Sequence, residues 1–154
     1  MRALSGLSFF IRGSKVDRRT RARELTMQAL YQLDVQGDSV FDYIDDFLVE
    51  NEPDDETRKL ASKWTRQTWK NIEACDEIIM DSTIKWEMSR LSLVDKSILR
   101  MSVYQMKFCE DIPPRAVINE AVEIAKKYSS DKAFSFVNGV LDAVFKKLKP
   151  GEGQ

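Results

Sequence analysis

A chain of 154 residues, 43% apolar and 32% charged, suits one domain with a sizeable core, and without any apolar run long enough to span a membrane it is expected to be soluble and cytoplasmic. Histidine is absent, which removes the commonest general base, the commonest metal ligand and every Ser/His or Cys/His nucleophile pair. The net charge of −1 is unevenly spread, +5 over residues 1–33, −10 over 34–57 and +4 over the rest, so attraction to a polyanion must come from a local patch.

Residues 1–17 (MRALSGLSFFIRGSKVD) hold a short apolar patch broken by Gly6, Arg12 and Gly13. The patch is too brief and interrupted for a signal peptide, and a disordered arm or a start site set too far upstream is expected. A single helical domain is expected over residues 18–149. Asp17 is placed to cap a first helix, Arg18 to Val35, with Ala22, Leu25, Ala29 and Leu33 on one stripe and Gly37 as its stop. Asp38 or Ser39 is placed to cap a second helix, Val40 to Asn51, whose Phe41, Ile44, Phe47 and Leu48 share one face while Asp42, Asp45, Asp46 and Glu50 occupy the others.

Pro53-Asp54-Asp55-Glu56 opens a third helix with proline and acids in the favoured positions. Its apolar pattern runs through Leu60, Trp64, Trp69 and Ile72 to Ile78, Ile79, Ile84 and Trp86, with a break expected near Cys75-Asp76. Ser92 begins the most apolar helix, Leu93 to Phe108, whose apolar residues cover more than one stripe and mark it as central. Pro113-Pro114 separates it from a helix over Arg115 to Tyr128, and a last helix follows from Phe134 to Leu148. Gly139, inside that last pattern, is expected where another helix approaches closely. Cys75 and Cys109 lack metal-ligand spacing and sit in helical patterns, so they are expected as reduced core thiols. The fold class is all-α, about seven helices, and no metal or cofactor site is expected.

Arg18, Arg19, Arg21 and Arg23 crowd the start of the first helix. A helix N-terminus already carries positive partial charge, so this cluster does not serve helix stability and suits the gripping of an anion. Two readings remain open at this point: a solvated basic helix end, or a nucleic-acid site that uses the planar guanidinium fork on phosphate. Tyr31, Phe134 and Phe136 offer stacking faces of the kind that readers of single-stranded RNA use.

Four stretches together carry a family likeness over about residues 18–148. They are the arginine-rich start with Ala29-Leu30-Tyr31; Val94-Asp95-Lys96-Ser97-Ile98-Leu99-Arg100 with Val103-Tyr104; Asp111-Ile112-Pro113-Pro114 leading into Ala116 to Lys126; and Phe136-Val137-Asn138-Gly139-Val140-Leu141-Asp142. In order and spacing the chain resembles the NusB family of transcription antitermination factors. The resemblance implies two packed helical subdomains and no catalysis. It also implies binding of the boxA element of ribosomal RNA transcripts, a single-stranded RNA, together with the ribosomal protein NusE within the RNA polymerase antitermination complex. No membrane and no small-molecule substrate is implied. The family's RNA contacts match Arg18, Arg19, Arg21 and Arg23 here, and Phe136 with its neighbours.

Two departures stand out. Lys132 follows Asp131 where the family often has two acids, which adds a positive charge beside the expected RNA surface, and residues Lys85 to Arg90 are not a close match near the region where the family meets NusE. Two other readings are weighed beside the resemblance. One is a NusB-like helper domain of an RNA methyltransferase system, which has less reason to keep the arginine cluster. The other is a helical adaptor that meets a protein through the acidic face of the second helix and binds no RNA.

Overall fold

The computed structural model describes residues 17–83 and 91–151, and among these the chain forms seven α-helices, one 3-10 segment and no strand. The arm expected over 1–17 lies outside the described residues up to residue 16, as do Ile84, Trp86 and the stretch 84–90. The chain divides into two compact units, Met1–Arg66 and Gln67–Gln154.

In the first unit, α1 spans Arg18–Gln36. The Asp17 carboxylate accepts from the Arg19 N–H at 2.7 Å and so caps it. Gly37 ends it with φ 80°, a left-handed conformation that glycine adopts without steric cost, and its N–H reaches the Leu33 carbonyl at 2.8 Å. The stripe Ala22, Leu25, Ala29 and Leu33 is buried as its spacing predicts, but burial is wider than the stripe: every residue from Arg21 to Leu30 is buried. The second helix begins later than expected. Neither Asp38 nor Ser39 caps a helix; the Ser39 hydroxyl instead donates back to the Gln36 carbonyl at 3.3 Å, Asp38–Tyr43 winds as a 3-10 segment, and α2 covers only Ile44–Asn51. A third helix, α3, spans Asp55–Lys70. Its cap is Asp54, which accepts from the Thr57 N–H at 3.0 Å and the Thr57 hydroxyl at 2.6 Å. Ala61 and Trp64 are buried on α3, and the Thr26 hydroxyl of α1 donates to the Ala61 carbonyl at 3.4 Å.

The expected break near Cys75 falls instead at Asn71. Its side-chain amide donates to the Gln67 carbonyl at 2.7 Å, which also keeps its helical bond from the Asn71 N–H at 3.1 Å, and α4 starts afresh at Ile72 and runs to Asp81. The second unit is organised around α5, Leu93–Phe108, which touches α4, α6 (Pro114–Tyr128) and α7 (Ala133–Leu148). Ten consecutive residues of α5, Ser97 to Met106, are buried, and Ser92 caps it by accepting from the Asp95 N–H at 3.1 Å. Burying a large aliphatic side chain of this kind is worth ~1.5–3 kcal/mol. Arg100, within that run, is held by two bonds to Asp76 at 2.7 and 2.8 Å. Both cysteines are free; Cys75 is fully buried, and burial, with Asp76 beside it, pushes its thiol up to about 12. The expectation for Gly139 is overturned: it is exposed, and a Cβ there would meet nothing within 4 Å, so among the described residues no helix approaches it.

Candidate nucleic-acid interface

The four arginines at the start of α1 have different fates because they face different ways around the helix. Arg18 is exposed and donates from Nε to the Asp54 carboxylate at 2.9 Å. Arg19, next to it, is also exposed. Arg21 turns inward, and its guanidinium is spent on three acceptors: Glu52 at 3.1 Å, Glu24 at 3.1 Å and the Asn51 carbonyl at 3.1 Å. Arg23 is buried as well, its guanidinium 5.2 Å from the centre of the Trp64 ring. Arg21 and Arg23 are neighbours of Ala22 on the apolar stripe, one on each side of it in sequence, and the fold closes over both.

Two of these arginines grip the same short connection. Arg18 holds Asp54 and Arg21 holds Glu52, while the second oxygen of Glu52 accepts from the Asp54 N–H at 3.0 Å. The connection between α2 and α3 is thereby fixed to α1, and the acids there match the basic run. Hydrogen bonds from Thr57 first, then Arg18, hold the Asp54 carboxyl down at about 2, while Asp54 pushes the Arg18 guanidinium up.

Outside this network lies a groove of about 420 Å³, lined by Arg18 and Arg19 of α1 and by Glu56, Lys59, Leu60 and Lys63 of α3. Lys59 pairs with Asp55 at 3.1 Å and lies 3.8 Å from Glu56; Asp55, foremost, raises its pKa. Lys63 is exposed and makes no ion pair among the described residues. These two lysines escaped the sequence reading, since some forty residues separate them from the arginines they join; only their i,i+4 spacing on one helix face signals them.

Tyr31 is half-buried on α1, twelve residues beyond Arg19 and so about 18 Å further along the helix axis. It does not share the groove. In the second unit, Lys132 is exposed immediately before α7, and Phe136 sits four residues on, half-buried on the same face of the helix start. Phe134 is 37% exposed and carries the Lys126 ammonium 5.1 Å from its ring centre. Among the described residues no group of three or more His, Cys, Asp or Glu side chains is arranged to hold a metal ion, and no helix is long and apolar enough to cross a membrane.

Comparison with known proteins bears on this arrangement. A sequence model of the NusB family matches residues 20–146. The transcription antitermination protein NusB of Anaeromyxobacter dehalogenans (strain 2CP-1) is 41% identical over 134 residues, covering 86% of this chain and 94% of that one. Its counterpart in Syntrophus aciditrophicus is 39% identical over 127 residues, covering 82% and 79%. Among solved structures, T. maritima NusB superposes with a TM-score of 0.79 at 34% identity, covering 90% of this chain and 97% of that one. A chain from a complex of the antitermination factors NusB and NusE with dsRNA superposes with a TM-score of 0.77 at 30% identity, covering 84% and 97%.

Proposed function

Since the chain belongs to the NusB family, we propose that it is a non-catalytic, RNA-binding transcription antitermination factor that takes boxA RNA of ribosomal transcripts together with NusE, in the cytoplasm. The observation that carries this reading is the match over nearly the whole folded chain to proteins named for antitermination, one of them solved with NusE and RNA. Local chemistry supports it. Arg18 and Arg19 stand exposed at one end of a chain whose net charge is −1, where guanidinium forks can meet phosphate in spite of the acidic surroundings. Lys132 adds a cation at the start of α7, and Phe136 and Tyr31 supply aromatic faces for stacked bases. Arg21 and Arg23 enter this reading as positioning residues, because their charge is used to hold Glu52 and to cover Trp64.

The test is titration of labelled boxA-like RNA with the protein alone, with NusE alone, and with both. Joint binding should be tighter than the sum of the parts, with coupling of ~1–3 kcal/mol, or roughly 5–150-fold. RNA affinity that is immeasurable with and without NusE overturns the reading, and if NusE still binds in that case a protein adaptor is left.

A further inference from the structure

We propose that Lys59 and Lys63 of α3, with Arg18 and Arg19 of α1, form a groove that tracks the phosphate backbone of a bound RNA strand; the proposal rests on the RNA-binding reading and names a contact surface within it. Four of the groove's six lining side chains are cationic and one, Glu56, is acidic. Its volume of about 420 Å³ falls in the range of sites that enclose small ligands. Lys59 and Lys63 are four residues apart on one face of α3, a rise of about 6 Å, which is comparable to the step between neighbouring phosphates of an extended strand. Leu60, half-buried between them in sequence, gives the groove an apolar patch against which a ribose or base edge can rest.

Electrostatics single out this place. Residues 34–57 carry ten acids and no base, so most of the first unit repels a polyanion, and the cations of α1 and α3 must focus the attraction. Arg18 and Lys59 are already oriented by Asp54 and by Asp55. Lys63 is exposed and makes no ion pair among the described residues, although Asp45 and Asp55 line an adjoining groove with it, so no ion pair there has to break before it meets a phosphate. An acidic protein segment would also meet four cations, but the helical spacing of the lysines and the open run of the groove favour a backbone of regularly repeated charge.

The experiment is a salt titration of the affinity for labelled single-stranded boxA-like RNA, with wild type, the pair Lys59→Gln with Lys63→Gln, the pair Lys59→Arg with Lys63→Arg, and Lys63→Gln alone. Each phosphate contact on a single strand contributes roughly 0.7 to the slope of log K against log salt. The Gln pair should therefore flatten the slope by about 1.4 and weaken binding roughly 25-fold at 0.1 M salt on the same rule, while the Arg pair keeps the wild-type slope. Lys63→Gln, which breaks no ion pair, should flatten it by about 0.7 with an unchanged circular dichroism spectrum. If wild type binds RNA and the Gln variants keep its slope and affinity, the groove is overturned and the RNA-binding reading stands. Wild type that binds no RNA at all removes both.

Discussion

The Nε of Arg21 lies 3.1 Å from the Oε1 of Glu52, and both side chains are more than nine-tenths buried. An ion pair in that setting has given up its hydration, so its two members depend on each other. Glu24 and the Asn51 carbonyl each accept from one of the two terminal guanidinium nitrogens, which helps to make a buried arginine tolerable.

Removing Arg21 alone should therefore be costly. Arg21→Ala is expected to lower stability by ~3–5 kcal/mol, the usual cost of orphaning a buried charge. Arg19→Ala, at an exposed position, should stay within ~0.5 kcal/mol of wild type. Urea denaturation of both variants checks this, and a loss below ~1 kcal/mol for Arg21→Ala would show that Glu52 and Glu24 do not need it.

Acid should loosen the start of α3 in a definite window. Asp54 has its pKa held down from 3.8 to about 2 in the folded protein, so the folded state binds fewer protons there than the unfolded state does. The stability it contributes is complete above about pH 4 and is lost as the pH falls from there toward 2. Asn caps a helix about as well as Asp and has nothing to titrate. The stability difference between wild type and Asp54→Asn should shrink through that window; denaturation curves that stay parallel from pH 5 to 2, a range set by those same pKa limits, would sink the assignment.

The core of the second unit should be most sensitive at α5. Ile98 and Leu99 have no exposed surface, and Ile98→Ala or Leu99→Ala should each cost ~2–5 kcal/mol. Thermal or urea unfolding measures it, and changes below ~1 kcal/mol at both positions would place this helix at the periphery.

Gly139 offers the opposite sign. It sits within α7 with open space where a Cβ would go, so Gly139→Ala relieves the backbone entropy of a helical glycine without a clash. A gain of ~0.5–1 kcal/mol is expected. A loss would mean that the fold depends on the missing side chain after all.

What could be read from the sequence, and what could not, follows from the range of each signal. The helices of the second unit were legible because Val117, Ala121, Ile124 and Ala125, or Val137, Val140, Leu141 and Val144, repeat at the helical period. The fate of Arg21 was not, since its partner Glu52 is thirty-one residues away and periodicity reports only the apolar side of a helix. The same holds for Lys59 and Lys63, which become part of the arginine surface only once α3 is laid beside the start of α1. The break at Asn71 escapes the sequence for a different reason: it is a departure of the backbone at one residue, with φ −105° and ψ 22°, and the apolar pattern runs through it unchanged. Gly139 was misread because a glycine in a helix has two causes, close packing or mere tolerance, and the sequence does not separate them.

The thiol of Cys75 has a practical consequence. It is fully buried in α4, and its proton is held tightly at neutral pH, so an alkylating reagent has neither access nor a thiolate to attack while the second unit stays closed. Cys109, at the end of α5, is only half-buried. Labelling at Cys75 is thus a clock for opening of the helices around it: its rate in the native protein reads how often that unit breathes, without denaturant, and any ligand that closes the unit will slow the clock.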